Sequence, residues 1–361
     1  MIVMKIVFVS PGMTFGGAER VISILANIWC EMGHDVSIFI TATNRPPVYK
    51  MDKKIKVEYF ADFNENGVSH IKLISAIRKF VTKEKTDCVI SFMNDVCAYT
   101  IISLIGTGIP VLYSERNDPN KTNQGKVDRI YRKIVESGAK HIVFQTDGAR
   151  NCYSKKIQNK SSIILNPVDL NKIPVRKKEN INYSEIVSVA RLEPQKNQKL
   201  LIDAFNIVSK KHKDTILKIF GEGILKNKLQ NRIDELGLTD RIFLMGAKSD
   251  VLEWIKESFC FVLSSDFEGL PNSLIEAMCM GMPCISTDCS PGGARELLGN
   301  DKGLVVPCGN QEKLAEAIEM YLEKPEDALE YGRIAYEMRN KINCKVIAEK
   351  WIALIEEISS K

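Results

Sequence analysis

The sequence predicts two α/β domains, each built around a parallel sheet. A chain of 361 residues exceeds what one hydrophobic core usually supports. Short runs rich in Val, Ile and Phe alternate with helical patterns of about 10 to 18 residues, which is typical of repeated strand–helix units. An apolar fraction of 45% and a charged fraction of 26% exclude disordered, collagen-like and coiled-coil classes.

The apolar runs place strands in both halves of the chain. In the first half, strands are predicted near residues 5–10, 36–40, 55–60, 87–92, 109–113, 140–145 and 162–165. In the second half, strands are predicted near residues 185–190, 215–220, 241–245, 259–264, 283–287 and 303–306. The first run is a strand and not a signal peptide, because it lacks a basic region and a cleavage site before Pro11 and Gly12.

A polar, basic stretch after Asn166-Pro167-Val168-Asp169 has the composition of an exposed linker. We therefore expect a first domain at 1–168, a linker at 169–184 and a second domain at 185–344. The final segment, about 345–361, carries apolar residues at helical spacing and needs a groove to pack against. Either domain could supply that groove, the first domain included.

Charge is unevenly distributed along the chain. Residues 1–180 carry 27 Lys and Arg against 17 Asp and Glu, whereas the remainder carries 23 against 28. The basic first half suggests a face for a polyanion or an anionic membrane surface, with a scattered solvated surface as the alternative. Two basic amphipathic segments, Ile71 to Lys85 and Lys126 to Ile134, could form such a face or could dock their apolar stripes on the sheet.

Cysteine usage and hydropathy favour a cytoplasmic protein. The ten cysteines include no Cys-x-x-Cys pair, and we interpret Cys279, Cys284 and Cys289 as small buried residues and not as metal ligands. The uncharged stretch from Val96 to Ser114 is interrupted by glycines and a proline, so it predicts a helix, a turn and a strand and not a membrane span.

Two segments that follow predicted strands could bind a diphosphate. Arg191 lies just past a strand and Lys196 at a helix start, the edge at which parallel sheets bind ligands. An arginine fork and a lysine point charge can clamp a diphosphate there, and two solvated charges are the alternative. Gly16 and Gly17, after the first strand, allow close backbone approach to an anion or form a plain helix-entry turn.

The segment from Ser264 to Met278 combines two carboxylates with a helix start. Glu268 lies in a loop, Pro271 lies near the first helical position, and Glu276 follows in the first turns. The N–H groups around Asn272, Ser273 and Leu274 suit a phosphate. Glu276 could accept hydrogen bonds from ribose hydroxyls and Glu268 could contact a sugar hydroxyl, while a glutamate that stabilises its helix start is the structural alternative.

Taken together, these elements resemble glycosyltransferase family 4, whose members are retaining enzymes of GT-B fold. The resemblance rests on the Glu-x7-Glu spacing from Glu268 to Glu276, on Arg191 with Lys196, on the Gly16-Gly17 loop and on the segment from Asp288 to Glu296. It spans most of the chain and is strongest from 185 to 310. It implies two Rossmann-like α/β domains that face each other across a donor-binding cleft, with the acceptor bound by the first domain.

The resemblance also implies roles for individual residues. Arg191 and Lys196 would hold the donor diphosphate, Glu276 the ribose, and Glu268 the transferred sugar. Backbone groups would complete the donor site, at Gly16, Gly17, Gly246, Ala247, Gly269, Leu270, Pro271, Asn272, Ser273 and Leu274. The nucleobase would pack near Gly246 and Ala247. No divalent metal or other cofactor is expected, because the two cations and the helix start stabilise the departing nucleotide.

The implied reaction transfers a hexose or N-acetylhexosamine from a UDP-sugar to a lipid-linked oligosaccharide or a polysaccharide. The implied partners are this donor, this acceptor and the inner membrane surface, without nucleic acid. Many family members carry a histidine where this chain has Glu115 and Arg116, and we expect one of these two residues to face the sugar or the acceptor.

Other functions fit parts of the same pattern. A GT-B sugar-nucleotide epimerase would lack a basic acceptor face, and retention of both glutamates and both cations argues against a non-catalytic nucleotide-sugar-binding partner. A nicotinamide dehydrogenase is disfavoured because no strand is followed by Gly-x-Gly-x-x-Gly.

Overall fold

The structure, a computed structural model, describes residues 3–14, 16–60, 69–122 and 125–359. The chain divides into two compact units. The first unit comprises Met1–Val168 together with Ile342–Lys361, and the second unit comprises Asp169–Lys341. The stretch predicted as a linker belongs to the second unit and the C-terminal segment belongs to the first.

Within the described residues, the first unit contains a seven-stranded parallel sheet with strand order β3-β2-β1-β4-β5-β6-β7. Its strands are β1 Lys5–Ser10, β2 Asp35–Ile40, β3 Lys56–Tyr59, β4 Cys88–Ser91, β5 Val111–Ser114, β6 His141–Phe144 and β7 Ser161–Ile163. Its helices begin with α1 Gly17–Glu31, α2 His70–Lys83, α3 Asn94–Leu104, α4 Lys126–Gly138, α5 Asp147–Asn151 and α6 Lys155–Gln158. Because β4 and β5 are buried at every residue, their sequences do not alternate, and each has three successive apolar or aromatic residues before a final serine.

The second unit contains a six-stranded parallel sheet with strand order β10-β9-β8-β11-β12-β13. Its strands are β8 Asn182–Val189, β9 Ile216–Phe220, β10 Ile242–Gly246, β11 Ser258–Leu263, β12 Cys284–Thr287 and β13 Leu304–Val306. Its helices are α7 Gln198–Lys211, α8 Lys226–Glu235, α9 Val251–Ile255, α10 Asn272–Cys279, α11 Gly293–Leu298, α12 Gln311–Glu323 and α13 Pro325–Ala335. The short helix α14, Arg339–Ile342, leads out of this unit.

The last helix, α15 Cys344–Ser359, packs on the first unit. The indole Nε1 of Trp29, in α1, donates a 3.1 Å hydrogen bond to the carbonyl of Ala348. Trp351 is fully buried in the same core as Trp29 and Phe92. Full burial of one large apolar side chain stabilises by about 1.5–3 kcal/mol, so α15 is an integral part of the first unit.

In each sheet the strand order reverses beside the first strand of the unit. The reversal falls between β1 and β4 in the first sheet and between β8 and β11 in the second. Loops that leave neighbouring strands at such a point diverge to opposite faces, which opens a crevice at the carboxyl edge where ligands bind. In the second unit, Lys196 and Glu268 come from the two loops that flank this crevice.

The structure confirms the α/β class and every predicted strand, with small shifts of their ends. β8 begins at Asn182, earlier than expected, so the exposed polar stretch is shorter than predicted. The stretch from Val96 to Ser114 forms most of α3, a turn in which Gly106 has a φ of +79°, and β5. Among the described residues, no helix combines the length and apolarity that crossing a membrane requires.

Candidate active site

The loop after β8 carries the two predicted cations to the carboxyl edge of the second sheet. Arg191 is exposed, and its Nη1 lies 2.8 Å from the Oε1 of Glu193. Residues Pro194–Lys196 form a 3-10 turn, and Asn197 then adopts the left-handed conformation with a φ of +44°. The Asn197 side chain accepts a hydrogen bond from the Leu200 N–H and caps α7. This turn fixes Lys196 immediately before the helix.

Lys196 and Glu268 form a buried ion pair. The Nζ of Lys196 lies 2.5 Å from the Oε1 of Glu268, although the residues are 72 positions apart in the sequence. The Lys196 side chain is 16% exposed and that of Glu268 is 8% exposed. Ser265 is fully buried and its Oγ donates a 2.7 Å hydrogen bond to the same carboxylate oxygen. The fold thus places a cation beside the first glutamate of the Glu-x7-Glu spacing.

Four further hydrogen bonds join the loop after β8 to the loop after β11. Gln195 donates from Nε2 to the carbonyl of Phe267 at 2.8 Å and accepts from the Asp266 N–H at 2.9 Å. The Nδ2 of Asn197 donates to Asp266 Oδ1 at 2.8 Å, and Ser264 Oγ donates to the Lys196 carbonyl at 3.0 Å. Because the two loops are tied together, the Lys196–Glu268 pair is preorganised without a ligand.

The second glutamate lies on α10, which starts directly after the Glu268 loop. The Glu268 N–H donates to the carbonyl of Ser290 at 2.8 Å, and the loop from Gly269 to Pro271 is buried. The Ile275 N–H donates to the Pro271 carbonyl at 3.2 Å, so the peptide groups from Asn272 to Leu274 form the first turn, where helical N–H groups favour an anion. Leu274 is fully buried, whereas Ser273 is half-buried. Glu276 is 4% exposed.

A third loop at this edge was not selected by sequence analysis. Gly221 and Gly223 follow β9, and a Cβ atom would lie 1.9 Å from the Ala190 carbonyl oxygen at the first and 2.4 Å from the Leu192 carbonyl oxygen at the second. Only glycine allows this backbone approach. The available signal was the Gly-Glu-Gly sequence directly after a buried apolar strand.

The residues predicted near the nucleobase lie at the end of β10, beside that third loop. The carbonyl of Gly246 accepts a 2.9 Å hydrogen bond from the Gly221 N–H. Gly246 has a φ of +71°, and a Cβ atom there would lie 3.0 Å from the Oε1 of Glu222. Ala247 is exposed. A nucleobase contact at Gly246 and Ala247 stays a prediction.

In the first unit, the paired glycines form the entry to α1. Gly16 precedes the helix in extended conformation and Gly17 is its first residue. The Gly16 carbonyl accepts hydrogen bonds from the Arg20 N–H at 3.1 Å and from the Tyr49 hydroxyl at 3.2 Å. This helix start lies at the carboxyl end of β1, beside the reversal point of the first sheet.

Glu115 is turned into the interior of the first unit. Its Oε2 accepts hydrogen bonds from the hydroxyls of Tyr113 at 3.1 Å and Tyr153 at 2.8 Å. Its Oε1 accepts from the N–H groups of Arg116 and Asn117. Burial raises the pKa of Glu115, and these hydrogen bonds act in the opposite direction. The contacts favour a structural role for Glu115 and leave Arg116 as the candidate for a ligand.

Arg116 is held in place on two sides. Its Nη1 donates a 2.6 Å hydrogen bond to Asn166 Oδ1, and its guanidinium lies 3.8 Å from the centre of the Phe92 ring. Burial lowers the pKa of Arg116 to about 9. Both contacts fix the plane of the guanidinium.

The cysteines that sequence analysis grouped together are buried. Cys279, Cys284 and Cys289 have no solvent exposure, and burial raises the pKa of Cys279 and Cys289 to about 12. Protonated, buried thiols are poor metal ligands. In the part of the chain that the structure describes, no group of three or more His, Cys, Asp or Glu side chains is arranged to hold a metal ion.

Comparison with known proteins shows similarity to glycosyltransferases along nearly the whole chain. The chain is 25% identical over 342 residues to an uncharacterized glycosyltransferase of Haemophilus influenzae, covering 94% of this chain and 96% of that protein. It is 26% identical over 369 residues to the GalNAc-alpha-(1->4)-GalNAc-alpha-(1->3)-diNAcBac-PP-undecaprenol alpha-1,4-N-acetyl-D-galactosaminyltransferase of Campylobacter jejuni, covering 99% of each. The crystal structure of Anabaena HepE in complex with UDP-glucose has a TM-score of 0.83 at 17% identity, covering 98% of this chain and 100% of that one.

Two family matches follow one another along the chain. Residues 15–172 match the family described as Glycosyltransferase Family 4, and residues 171–338 match Glycosyl transferases group 1. The two matches correspond closely to the two structural units, and the similarity to HepE supports the GT-B fold. The chain therefore belongs to the family 4 glycosyltransferases, enzymes of GT-B fold.

Proposed function

We propose that this enzyme is a retaining glycosyltransferase that moves a hexose or N-acetylhexosamine from a UDP-sugar to a lipid-linked oligosaccharide or polysaccharide. The observation that carries the proposal is the buried Lys196–Glu268 pair at the reversal point of the second sheet. In a nucleotide sugar the diphosphate is bonded directly to the sugar. The pair places a cation that can bind the diphosphate beside a carboxylate that can bind a sugar hydroxyl.

Charge stabilisation at the leaving group supplies the chemical step in this proposal. As the bond to the sugar breaks, negative charge grows on the terminal phosphate of the departing nucleotide. Lys196 and the first turn of α10 lie at the same edge of the sheet and favour that charge. The guanidinium of Arg191 can bind two phosphate oxygens at once. Its ion pair with Glu193 is exposed and therefore weak, so a phosphate can replace Glu193 at little cost. With these groups in place, we propose that no divalent metal takes part.

Glu268 acts on the sugar and Glu276 on the ribose in this scheme. Lys196 and Ser265 both bind Oε1 of Glu268, which fixes the direction of the carboxylate. A carboxylate oriented in this way holds a sugar hydroxyl in one position through the reaction. Retention of the anomeric configuration is part of the proposal, and the anomeric proton coupling of the product, measured by NMR, tests it.

Similarity to named proteins supports the choice of donor and acceptor. The Campylobacter relative is named for transfer of N-acetylgalactosamine to an undecaprenol-diphosphate-linked sugar, and HepE was crystallised with UDP-glucose. We extend a UDP-sugar donor and a lipid-linked acceptor to this chain on that basis.

The surface of α4 supports a peripheral position at the cytoplasmic face of the membrane. Val127 is 56% exposed and Ile130 is 57% exposed, next to the exposed cations Lys126, Arg129 and Lys133. Exposed apolar side chains among basic ones are typical of helices that lie on anionic lipid. The other basic segment differs, because α2 buries the apolar residues Leu73, Ile77, Phe80 and Val81 in the core. We therefore assign membrane contact to α4 and not to α2.

A thermal-shift panel of UDP, GDP, ADP and their sugars tests the donor. A ligand at 100 times its dissociation constant stabilises by about 2.7 kcal/mol, so UDP and one UDP-sugar should raise the melting temperature while the GDP and ADP series should not. Equal shifts with all three bases would contradict a UDP-specific site. Product analysis separates the rival activities: transfer requires the acceptor, an epimerase converts the sugar nucleotide without one, and a non-catalytic protein binds it unchanged.

A further inference from the structure

A polar cluster occupies the carboxyl ends of two neighbouring strands in the first unit. Arg116 follows β5 and Gln145 follows β6, and these strands are adjacent in the sheet. Asn166 joins the cluster by accepting hydrogen bonds from both Arg116 and Gln145 on its Oδ1. We call these three residues the Arg116 cluster. Its position is the edge at which parallel sheets bind ligands.

The cluster contains several buried polar atoms whose hydrogen-bonding capacity is unused. Within the described residues, the Nε and Nη2 of Arg116 and the Oε1 of Gln145 have no hydrogen-bond partner. Gln145 is 2% exposed. An unsatisfied buried polar group is destabilising, and such groups concentrated at one edge of a sheet indicate a binding site.

The geometry of Arg116 specifies the kind of ligand. Nε and Nη2 form one edge of the guanidinium, with two nearly parallel N–H groups that match two oxygens of a phosphate or carboxylate. The opposite nitrogen, Nη1, is already bound to Asn166, and stacking on Phe92 fixes the plane. The unused edge is therefore the bidentate edge, held in a defined direction.

The charge of Arg116 is also unbalanced within the first unit. Its neighbour Glu115 directs its carboxylate to Tyr113 and Tyr153 and receives the backbone N–H, not the guanidinium, of Arg116. In the described part of the chain, Arg116 forms no ion pair, and Glu115 acts on it only electrostatically. A largely buried cation without a directly paired anion is unfavourable, and a bound oxyanion would relieve this cost.

We propose that the Arg116 cluster binds an oxyanion carried by the acceptor substrate. Arg116 holds two oxygens of this group, and Gln145 Oε1 accepts from a neighbouring hydroxyl of the acceptor. The inference rests on the proposed transferase function, in which Arg191 and Lys196 of the second unit hold the donor diphosphate. The oxyanion is the diphosphate of a lipid carrier or the carboxylate of a uronic acid.

Isothermal titration with inorganic pyrophosphate tests the site without any need for activity. The titration is run with and without saturating UDP, on the wild type, on Arg116→Gln and Arg116→Lys, and on Arg150→Gln as a control. Arg150 is a suitable control because it lies in the same unit and its Nη1 is 3.9 Å from the Asp147 carboxylate.

We expect Arg116→Gln to weaken pyrophosphate binding at least tenfold in the presence of UDP, and Arg116→Lys at least fivefold, because lysine lacks the fork. Arg116→Lys also serves as the second variant should Arg116→Gln not fold. Arg150→Gln should stay within twofold. Binding that is abolished by UDP, or that is unchanged by the Arg116 substitutions, would overturn the proposal.

Steady-state kinetics with three acceptors identifies the source of the oxyanion. The acceptors carry the same terminal sugar on a lipid diphosphate, on a uronic acid or on a neutral glycoside. Arg116→Gln should raise the KM of one anionic acceptor at least tenfold and leave the KM of the donor and of the neutral acceptor within twofold. Equal effects on all acceptors would refute the oxyanion. If no acceptor is glycosylated, the proposed function fails, and the pyrophosphate titration still decides whether the site exists.

Discussion

Replacing Lys196 by alanine is expected to destabilise the second unit, whereas replacing Arg191 is not. Removal of the Lys196 ammonium leaves Glu268 as a carboxylate that is 8% exposed and has lost the cation at 2.5 Å. Its remaining side-chain hydrogen bond comes from Ser265. Arg191 differs because its side chain is 61% exposed and its partner Glu193 is 34% exposed. The two substitutions should therefore differ in their effect on the stability of the second unit, although both residues belong to one predicted diphosphate clamp.

The expected loss follows from the burial of the pair. Breaking a buried ion pair by removing one partner costs about 3–5 kcal/mol, and the retained Ser265 bond with the partial exposure of Lys196 favours the lower end, about 3 kcal/mol. An exposed pair contributes about 0–1 kcal/mol, so Arg191→Ala should change the stability by no more than about 0.5 kcal/mol. The double variant Lys196→Ala with Glu268→Gln should recover part of the loss, because no uncompensated charge remains buried.

Hydrogen exchange measured by mass spectrometry provides the assay, since it reports each unit separately in a chain whose two units need not unfold together. Amides of β11 and α10 should lose about a hundredfold in protection in Lys196→Ala, the equivalent of about 3 kcal/mol. Amides of β1 and β4 in the first unit serve as the internal control. A loss of protection below tenfold in Lys196→Ala, or an equal loss of protection in Arg191→Ala, would refute the assignment of Lys196 and Glu268 as a buried, stabilising pair.

Other predictions concern catalysis and membrane binding. Arg191→Ala should lower turnover by roughly 10² to 10³ with a normal melting curve, and near wild-type turnover would remove it from the diphosphate clamp. Glu276→Ala should mainly raise the donor KM, whereas Glu268→Ala should lower kcat. Steady-state kinetics on both variants test this, and an unchanged donor KM in Glu276→Ala would indicate that Glu276 only stabilises its helix. Activity should persist in EDTA, and loss that manganese restores would contradict a metal-free mechanism. Liposome co-sedimentation should depend on anionic lipid and on salt, because the Debye length falls from about 10 Å at 0.1 M to 3 Å at 1 M. Each of three exposed cations should contribute about 1 kcal/mol to liposome binding, so serine substitution of all three should weaken it. Liposome binding that is unchanged in this variant would exclude the α4 surface. These cations are Lys126, Arg129 and Lys133.

Arg132 is excluded from that variant because its side chain is half-buried and packed against other residues of the unit. Its Nε lies 2.9 Å from the Glu136 carboxylate and its guanidinium lies 4.2 Å from the centre of the Tyr153 ring. The sequence pattern groups Arg132 with the other basic residues of α4 and does not reveal its contacts with Glu136 and Tyr153. Substitution of Arg132 would therefore disturb packing as well as charge, whereas the three exposed cations test charge alone.

The strands could be predicted from sequence because the physics that selects them is local. Strands covered by helices on both faces become continuous runs of Val, Ile and Phe, and the turns that end them carry Gly, Pro and Asn. β11, which is buried at all six residues, shows this directly in Phe259 to Leu263. The start of β8 was misplaced because Asn182 to Ser184 extend the strand with polar residues that resemble a linker.

The pairing inside the site could not be predicted in the same way. Lys196 and Glu268 were both selected from sequence, as residues that follow strands, yet their direct contact across 72 positions depends on β8 and β11 being neighbours in the sheet. Sequence order does not state that neighbourhood, because β9 and β10 intervene along the chain. The reversal of strand order beside β8 is what turns two separate motifs into one site.

Burial, which a single sequence does not reveal, decides what each selected charge can do. Glu115 and Arg116 are adjacent in the chain and were equal candidates for a ligand. The Glu115 carboxylate is enclosed by two tyrosine hydroxyls and two N–H groups, so a ligand would have to displace satisfied hydrogen bonds. Arg116 has a complete bidentate edge without a partner among the described residues, so a ligand would add hydrogen bonds without breaking any. The difference in free energy between displacing and adding hydrogen bonds favours Arg116 as the residue that contacts substrate.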